Sequence, residues 1–150
     1  MPKPPKPELL LVKDYLTFAK ASVGSNSFRK LYYRVEGKEV EVLRDGDLSC
    51  AFFVSSVLVI FGLMGVMHTT VKSTVRDLRR RGWKDIRTPR PGAIVVWGPK
   101  KFKSGETHRH LGFYLGNGKV VSNSSARKSP RVHAWNFRPV EHILWNEKLR

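Results

Sequence analysis

The run Ser49-Cys50-Ala51-Phe52-Phe53-Val54-Ser55-Ser56-Val57-Leu58 and the later segment His110-Leu111-Gly112-Phe113-Tyr114-Leu115-Gly116-Asn117-Gly118 decide how this chain is read. The first is apolar and uncharged, with Asp47 or Ser49 available as an N-cap. It predicts a buried helix running to about Phe61, before Gly62. The second is a short strand entering Asn117-Gly118, a pair that tolerates positive φ at both positions and predicts a tight hairpin back through Lys119 to Asn123. Cys50 is the only cysteine, so it cannot form an internal disulfide; packing, metal binding and nucleophilic chemistry remain. In the first turn of a helix, free N–H groups and the positive dipole end favour a thiolate. A histidine within hydrogen-bond reach would complete a nucleophile.

Working outward, the chain changes character near Pro89, mostly helical before it and β-like after it. Apolar residues at Leu9, Leu10, Val12, Leu16, Phe18 and Ala19 predict an amphipathic helix from Pro7 to about Val23. Phe28, Leu31 and Tyr32 predict a second helix over Ser25 to Val35, whereas Glu39 to Leu43 is ambiguous. Thr69 or Thr70 starts a further helix with Val71, Val75 and Leu78 inward. Arg79-Arg80-Arg81 fall in its last turn, with Gly82 as C-cap. Strands are expected at Ala93–Trp97, Leu111–Leu115, Lys119–Asn123, Arg131–Phe137 and His142–Trp145. Helices first and a sheet second make an α+β domain, N-terminal helices packed on a small antiparallel sheet. Residues 1–8 read as a flexible, basic, proline-rich tail, and residues 9–150 as one domain, expected to be a monomer.

With 41% hydrophobic and 27% charged residues, the composition is that of a globular protein and excludes a disordered one. The unusual quantity is charge: 28 Lys and Arg against 12 Asp and Glu, a net +16. Such a field attracts anionic polymers, anionic surfaces and, without sequence preference, nucleic acid. No recognition-helix, RNA-strand or zinc-finger signature accompanies it. Leu9-Leu10-Leu11-Val12 is too short for a signal-peptide core, so a cytoplasmic location is the expectation. The uncharged stretch from Ala51 to Met67 falls short of the roughly 20 residues a membrane span requires, and Gly62 and Gly65 interrupt it.

The hairpin sets which side chains meet His110. With a two-residue Asn117-Gly118 turn, Gly116 lies opposite Lys119 and Gly112 opposite Asn123, which puts Asn123 on the histidine's face, one step diagonally away. Its amide would then orient the imidazole toward a thiol. A bulge would shift the register by one and place Ser122 there instead; the two-residue turn, and hence Asn123, is the expectation. Cys50 would attack an amide or peptide carbonyl, and His110 would take the thiol proton and later deliver it to the leaving amine. The Cys50 N–H is the candidate oxyanion donor, and Gly112 would leave room for substrate. His108, His110, His68, His133 and Cys50 match no zinc-ligand spacing, so neither a metal nor another cofactor is expected.

At these residues the chain resembles the NlpC/P60 group of papain-like cysteine peptidases and amidases, which cleave peptidoglycan stem peptides. Cys50-Ala51-Phe52-Phe53-Val54 is similar to the family's Cys-Ser-Gly-Phe-Val-like motif. His110 through Gly118 is similar to its His-Val-Gly-Ile-Tyr-Leu-Gly-like strand and turn, and Pro91-Gly92-Ala93-Ile94-Val95-Val96 to the strand before it. The resemblance implies a papain-like hydrolase acting on peptidoglycan or another peptide, with Cys50, His110 and Asn123 catalytic and Tyr33 and Gly112 contacting substrate. Ser49 stands where the family usually has Asp, and the usual third histidine is missing. The alternatives are a non-enzymatic basic protein binding nucleic acid or an anionic surface, and a thiol acyltransferase on the same fold.

Overall fold

An uncharged helix has no face to offer water. In the computed structural model, which describes residues 1–150, helix α2 (Cys50–Ile60) is accordingly buried through Ala51, Phe53, Val54, Ser55, Val57 and Leu58. Helix α1 (Leu11–Ala21) covers the same core with Tyr15, Leu16 and Ala19. Helix α3 (Val71–Arg80) turns Thr74 and Leu78 inward. Its N-cap is Thr70, whose hydroxyl accepts the Ser73 N–H, and Gly82 follows its last turn at φ +90°. Residues 1–10 are exposed and take no regular secondary structure.

The helices pack on a six-stranded antiparallel sheet formed by β3 (Lys84–Asp85), β4 (Ile94–Lys101), β5 (Thr107–Gly116), β6 (Lys119–Ser124), β7 (Ser129–Ala134) and β8 (Val140–Trp145). The strand order is β3-β8-β4-β5-β6-β7. This is the expected α+β arrangement. Central strands β4 and β5 bury continuous runs, Ile94 to Trp97 and Leu111 to Tyr114, and α2 packs on β5 and its neighbour β6. Phe53 of α2 meets Phe113 of β5 edge-to-face at 5.5 Å, and Phe28 meets Phe53 at 4.9 Å. Tyr15 tilts onto Phe113 at 5.6 Å and donates its hydroxyl proton to the Gly92 carbonyl. No helix is long and apolar enough to cross a membrane.

The second helix expected over Ser25–Val35 does not form. A turn segment leads instead into a separate hairpin, β1 (Tyr32–Val35) and β2 (Lys38–Glu41), paired as Tyr33 with Val40 and Val35 with Lys38. Glu36 and Gly37 form its turn at φ +49° and +77°, a local signal that helical spacing in Phe28, Leu31 and Tyr32 obscured. The Glu41 carboxylate anchors the hairpin by accepting the N–H groups of Leu31, Leu43 and Asp45, and Arg29 pairs with Asp45 at 2.6 Å.

Phe53 joins α2 to both Phe28 and Phe113, so truncating it removes the packing that seats Cys50 against the sheet. Phe53→Ala is expected to destabilise the fold by about 3–5 kcal/mol, read from the midpoint of urea unfolding.

Candidate active site

Cys50 is the first residue of α2, and the first intrahelical bond is donated by Phe53 to the Ser49 carbonyl. The N–H groups of Cys50, Ala51 and Phe52 therefore lie ahead of the helical ladder, at the positive end of the dipole. The thiol is half-buried and opens into a cavity of about 890 Å³ that also receives His110, Ser122, His133 and Arg138. No carboxylate lines the cavity except Asp47.

The residues around His110 are fixed by register. Asn117 and Gly118 make the expected turn, with φ +51° and +73°, and Gly116 faces Lys119 as expected. Beyond that pair a bulge intervenes, since Tyr114 faces Val120 and Phe113 faces Val121. Leu115 is the extra residue, and Gly116, at φ +105°, accommodates it. The slip replaces Asn123 by Ser122 on the histidine's face. Asn123 does not orient His110: its Nδ2 donates to the Gly46 carbonyl at 2.9 Å, which ties β6 to the loop leading into α2.

The expectation that Gly112 leaves space for substrate is also overturned. A Cβ there would lie 2.7 Å from the Val121 carbonyl, 2.8 Å from the Ser122 Cβ and 3.3 Å from the Trp97 ring. The glycine is used for close packing and lets Ser122 and Trp97 close around the imidazole. Tyr33 is exposed on the β1–β2 hairpin and does not line the cavity.

The hydrogen bonds around Ser122 determine where the protons sit. His133 Nδ1 lies 2.9 Å from the Ala134 carbonyl oxygen, which can only accept, so Nδ1 carries the proton and donates. In the neutral ring Nε2 is then an acceptor, 2.6 Å from Ser122 Oγ, and receives the hydroxyl proton. Ser122 Oγ in turn accepts from His110 Nε2 at 2.8 Å. This leaves His110 Nδ1 as the free lone pair, the state a general base requires. Trp97, the direct cross-strand neighbour of His110, stacks on its ring at 5.2 Å and donates its indole N–H to the Trp135 carbonyl. Phe137 closes the box, 5.0 Å from Trp97 and 4.5 Å from His133.

Burial governs the charges. Desolvation pushes the Cys50 thiol up to about 11, against the opposing pull of the Ala51 and Leu111 N–H groups and of Arg138. Desolvation holds His110 down to about 3, with Arg138 and His133 adding to the effect. The helix start therefore does not produce a resting thiolate, contrary to the simple dipole argument; the unliganded pair is neutral. No group of three or more His, Cys, Asp or Glu side chains is placed to hold a metal ion.

His133, Trp97 and Phe137 were not distinguished by sequence spacing as site residues. Their only prior signal is strand alternation, which puts His133 two residues beyond Arg131, the partner of Ser122 across β6 and β7. Compared with models of known protein families the chain matches none, and no curated protein matches it significantly.

The His110 environment generates a pH-dependent stability. Its folded value near 3 lies below the unfolded value of 6.5, so the unfolded chain binds the proton first as pH falls. The His110 contribution is complete above pH 6.5 and is lost progressively toward pH 3. Urea midpoints measured between pH 7 and 4 are expected to fall less steeply for His110→Gln than for the wild type.

Proposed function

We propose that this protein is a papain-like cysteine hydrolase of the NlpC/P60 type that cleaves amide or peptide bonds, with peptidoglycan stem peptides as the substrate class. The observation that carries the reading is the ordered chain His133–Ser122–His110, which leaves an unprotonated Nδ1 in the cavity that holds a helix-start cysteine. Ser122 takes the orienting role and His133 fixes the hydroxyl direction, so a serine and a histidine share what a single polar residue does elsewhere.

The mechanism follows from these positions. As Cys50 Sγ attacks the scissile carbonyl carbon, its proton passes to His110 Nδ1, and the C=O π electrons move onto oxygen. The N–H groups at the start of α2 are the donors available to that oxyanion. Collapse of the tetrahedral intermediate breaks the C–N bond, and His110 delivers its proton to the departing amine. Water then attacks the thioester, giving one proton to His110, and expulsion of the Cys50 thiolate releases the carboxylic acid. The thiolate recovers the proton from His110. Because the resting pair is neutral, proton transfer accompanies attack rather than preceding it.

Cys50→Ala is expected to abolish hydrolysis of peptidoglycan fragments while leaving the urea midpoint close to that of the wild type. His110→Ala is expected to lower kcat about 10²–10⁴-fold. Ser122→Ala removes the link that selects the His110 tautomer; the expected loss in kcat is about 10–100-fold with little change in KM, measured on the same fragments. Nucleic-acid binding that persists in Cys50→Ala, with no turnover of any fragment by the wild type, would favour the basic binding protein instead.

A further inference from the structure

Six cationic side chains line the Cys50 cavity, Lys72, Lys100, Arg109, Arg127, Arg131 and Arg138, against the single acid Asp47. Arg109 is engaged by Glu141 at 2.9 Å, outside the catalytic group. Asp47 pairs with Lys128 at 3.9 Å. Arg138 differs from the rest. It is half-buried, joins no ion pair, and its Nε is buried without any hydrogen-bond partner. Its guanidinium lies over the Phe137 ring at 5.6 Å, and Phe137 itself packs on Trp97 and His133. A guanidinium nitrogen buried with neither an anion nor another acceptor beside it is costly unless a ligand supplies one.

From this geometry we infer that Arg138 is the anion anchor of the substrate site, binding a carboxylate that the substrate carries close to the bond Cys50 attacks. The inference deepens the hydrolase reading by naming a charge requirement for its substrate. Arg138 lines the same cavity as Cys50, His110 and His133, near enough for its charge to favour the thiolate and disfavour both imidazolium ions. The fork of donors on a guanidinium suits a carboxylate, and Phe137 restricts the side chain to one side of the cavity. Lys72, Lys100, Arg127 and Arg131 supply a general field that draws an anionic chain into the cleft.

Two alkylating reagents of the same chemistry and different charge test this without knowledge of the natural substrate. Iodoacetate carries a carboxylate next to the reacting carbon and iodoacetamide does not, so their rate ratio at Cys50 reports the anchor. Arg138→Gln is expected to lower the iodoacetate to iodoacetamide ratio roughly 10- to 100-fold, whereas Lys72→Gln changes it by less than about twofold. An unchanged ratio in Arg138→Gln, both reagents slowing equally, or an equal fall in Lys72→Gln would overturn the assignment. A second reading is independent of the thiol: glutarate is expected to shift the ring-proton NMR signals of His110 and His133 in Cys50→Ala but not in Cys50→Ala/Arg138→Gln. Equal shifts in both would overturn the anchor even with an active enzyme. A wild-type thiol inert to both reagents, with the glutarate shifts dependent on Arg138, would sink the hydrolase reading and leave the anion site standing.

Discussion

The approach of β5 to β6 at Gly112 is the constraint on which the site depends. Because that position has no Cβ, the Val121 carbonyl, the Ser122 side chain and the Trp97 ring all come within reach of one backbone point. Trp97 can then stack on His110 from one strand while Ser122 bonds it from the other. The bulge at Leu115 sets the register that makes Ser122 the residue presented. A one-residue slip would send Ser122 to the opposite face and break the link to His133. The proposed catalytic group is thus built on three adjacent strands, β5, β6 and the edge strand β7, with only Cys50 supplied by a helix.

Relative magnitudes explain why that helix does not deliver a ready thiolate. A helix terminus is worth about 0.3–2 kcal/mol to a nearby charge, whereas full burial shifts a titrating group by as much as 3–5 pKa units. Desolvation dominates both partners, raising the thiol and lowering the imidazole, so the two groups rest neutral.

Where a local signal agreed with its tertiary surroundings, the sequence could be read directly. The uncharged run after Cys50 is helical, Thr70 caps α3, and Asn117-Gly118 makes the hairpin turn. Sequence and structure part where a second signal competes. Phe28, Leu31 and Tyr32 have helical spacing, yet Glu36-Gly37 folds Tyr32 to Glu41 into a hairpin. A two-residue turn and a bulged one share the same Asn-Gly pair, so the pair alone does not decide between Asn123 and Ser122. The difference lies in Gly116, whose φ of +105° is invisible in a residue list. His133 reaches the site only through Ser122, a relation set by β6–β7 pairing and by no short-range pattern.

The position of Arg138 bears on ligand charge more than on the proton shared by Cys50 and His110. Its field favours a Cys50 thiolate and disfavours a His110 imidazolium, so for the ion pair as a whole the two effects oppose each other. A guanidinium placed to activate the thiol alone would have little net leverage there. A bound carboxylate inherits the same cancellation: it can satisfy the buried Nε, but the field it offsets favours the thiolate while disfavouring the imidazolium, and desolvation, the larger effect on His110, is untouched by it. Arg138 therefore selects the charge of the ligand, while proton transfer within the Cys50–His110 pair is governed by how far the two groups are withdrawn from water.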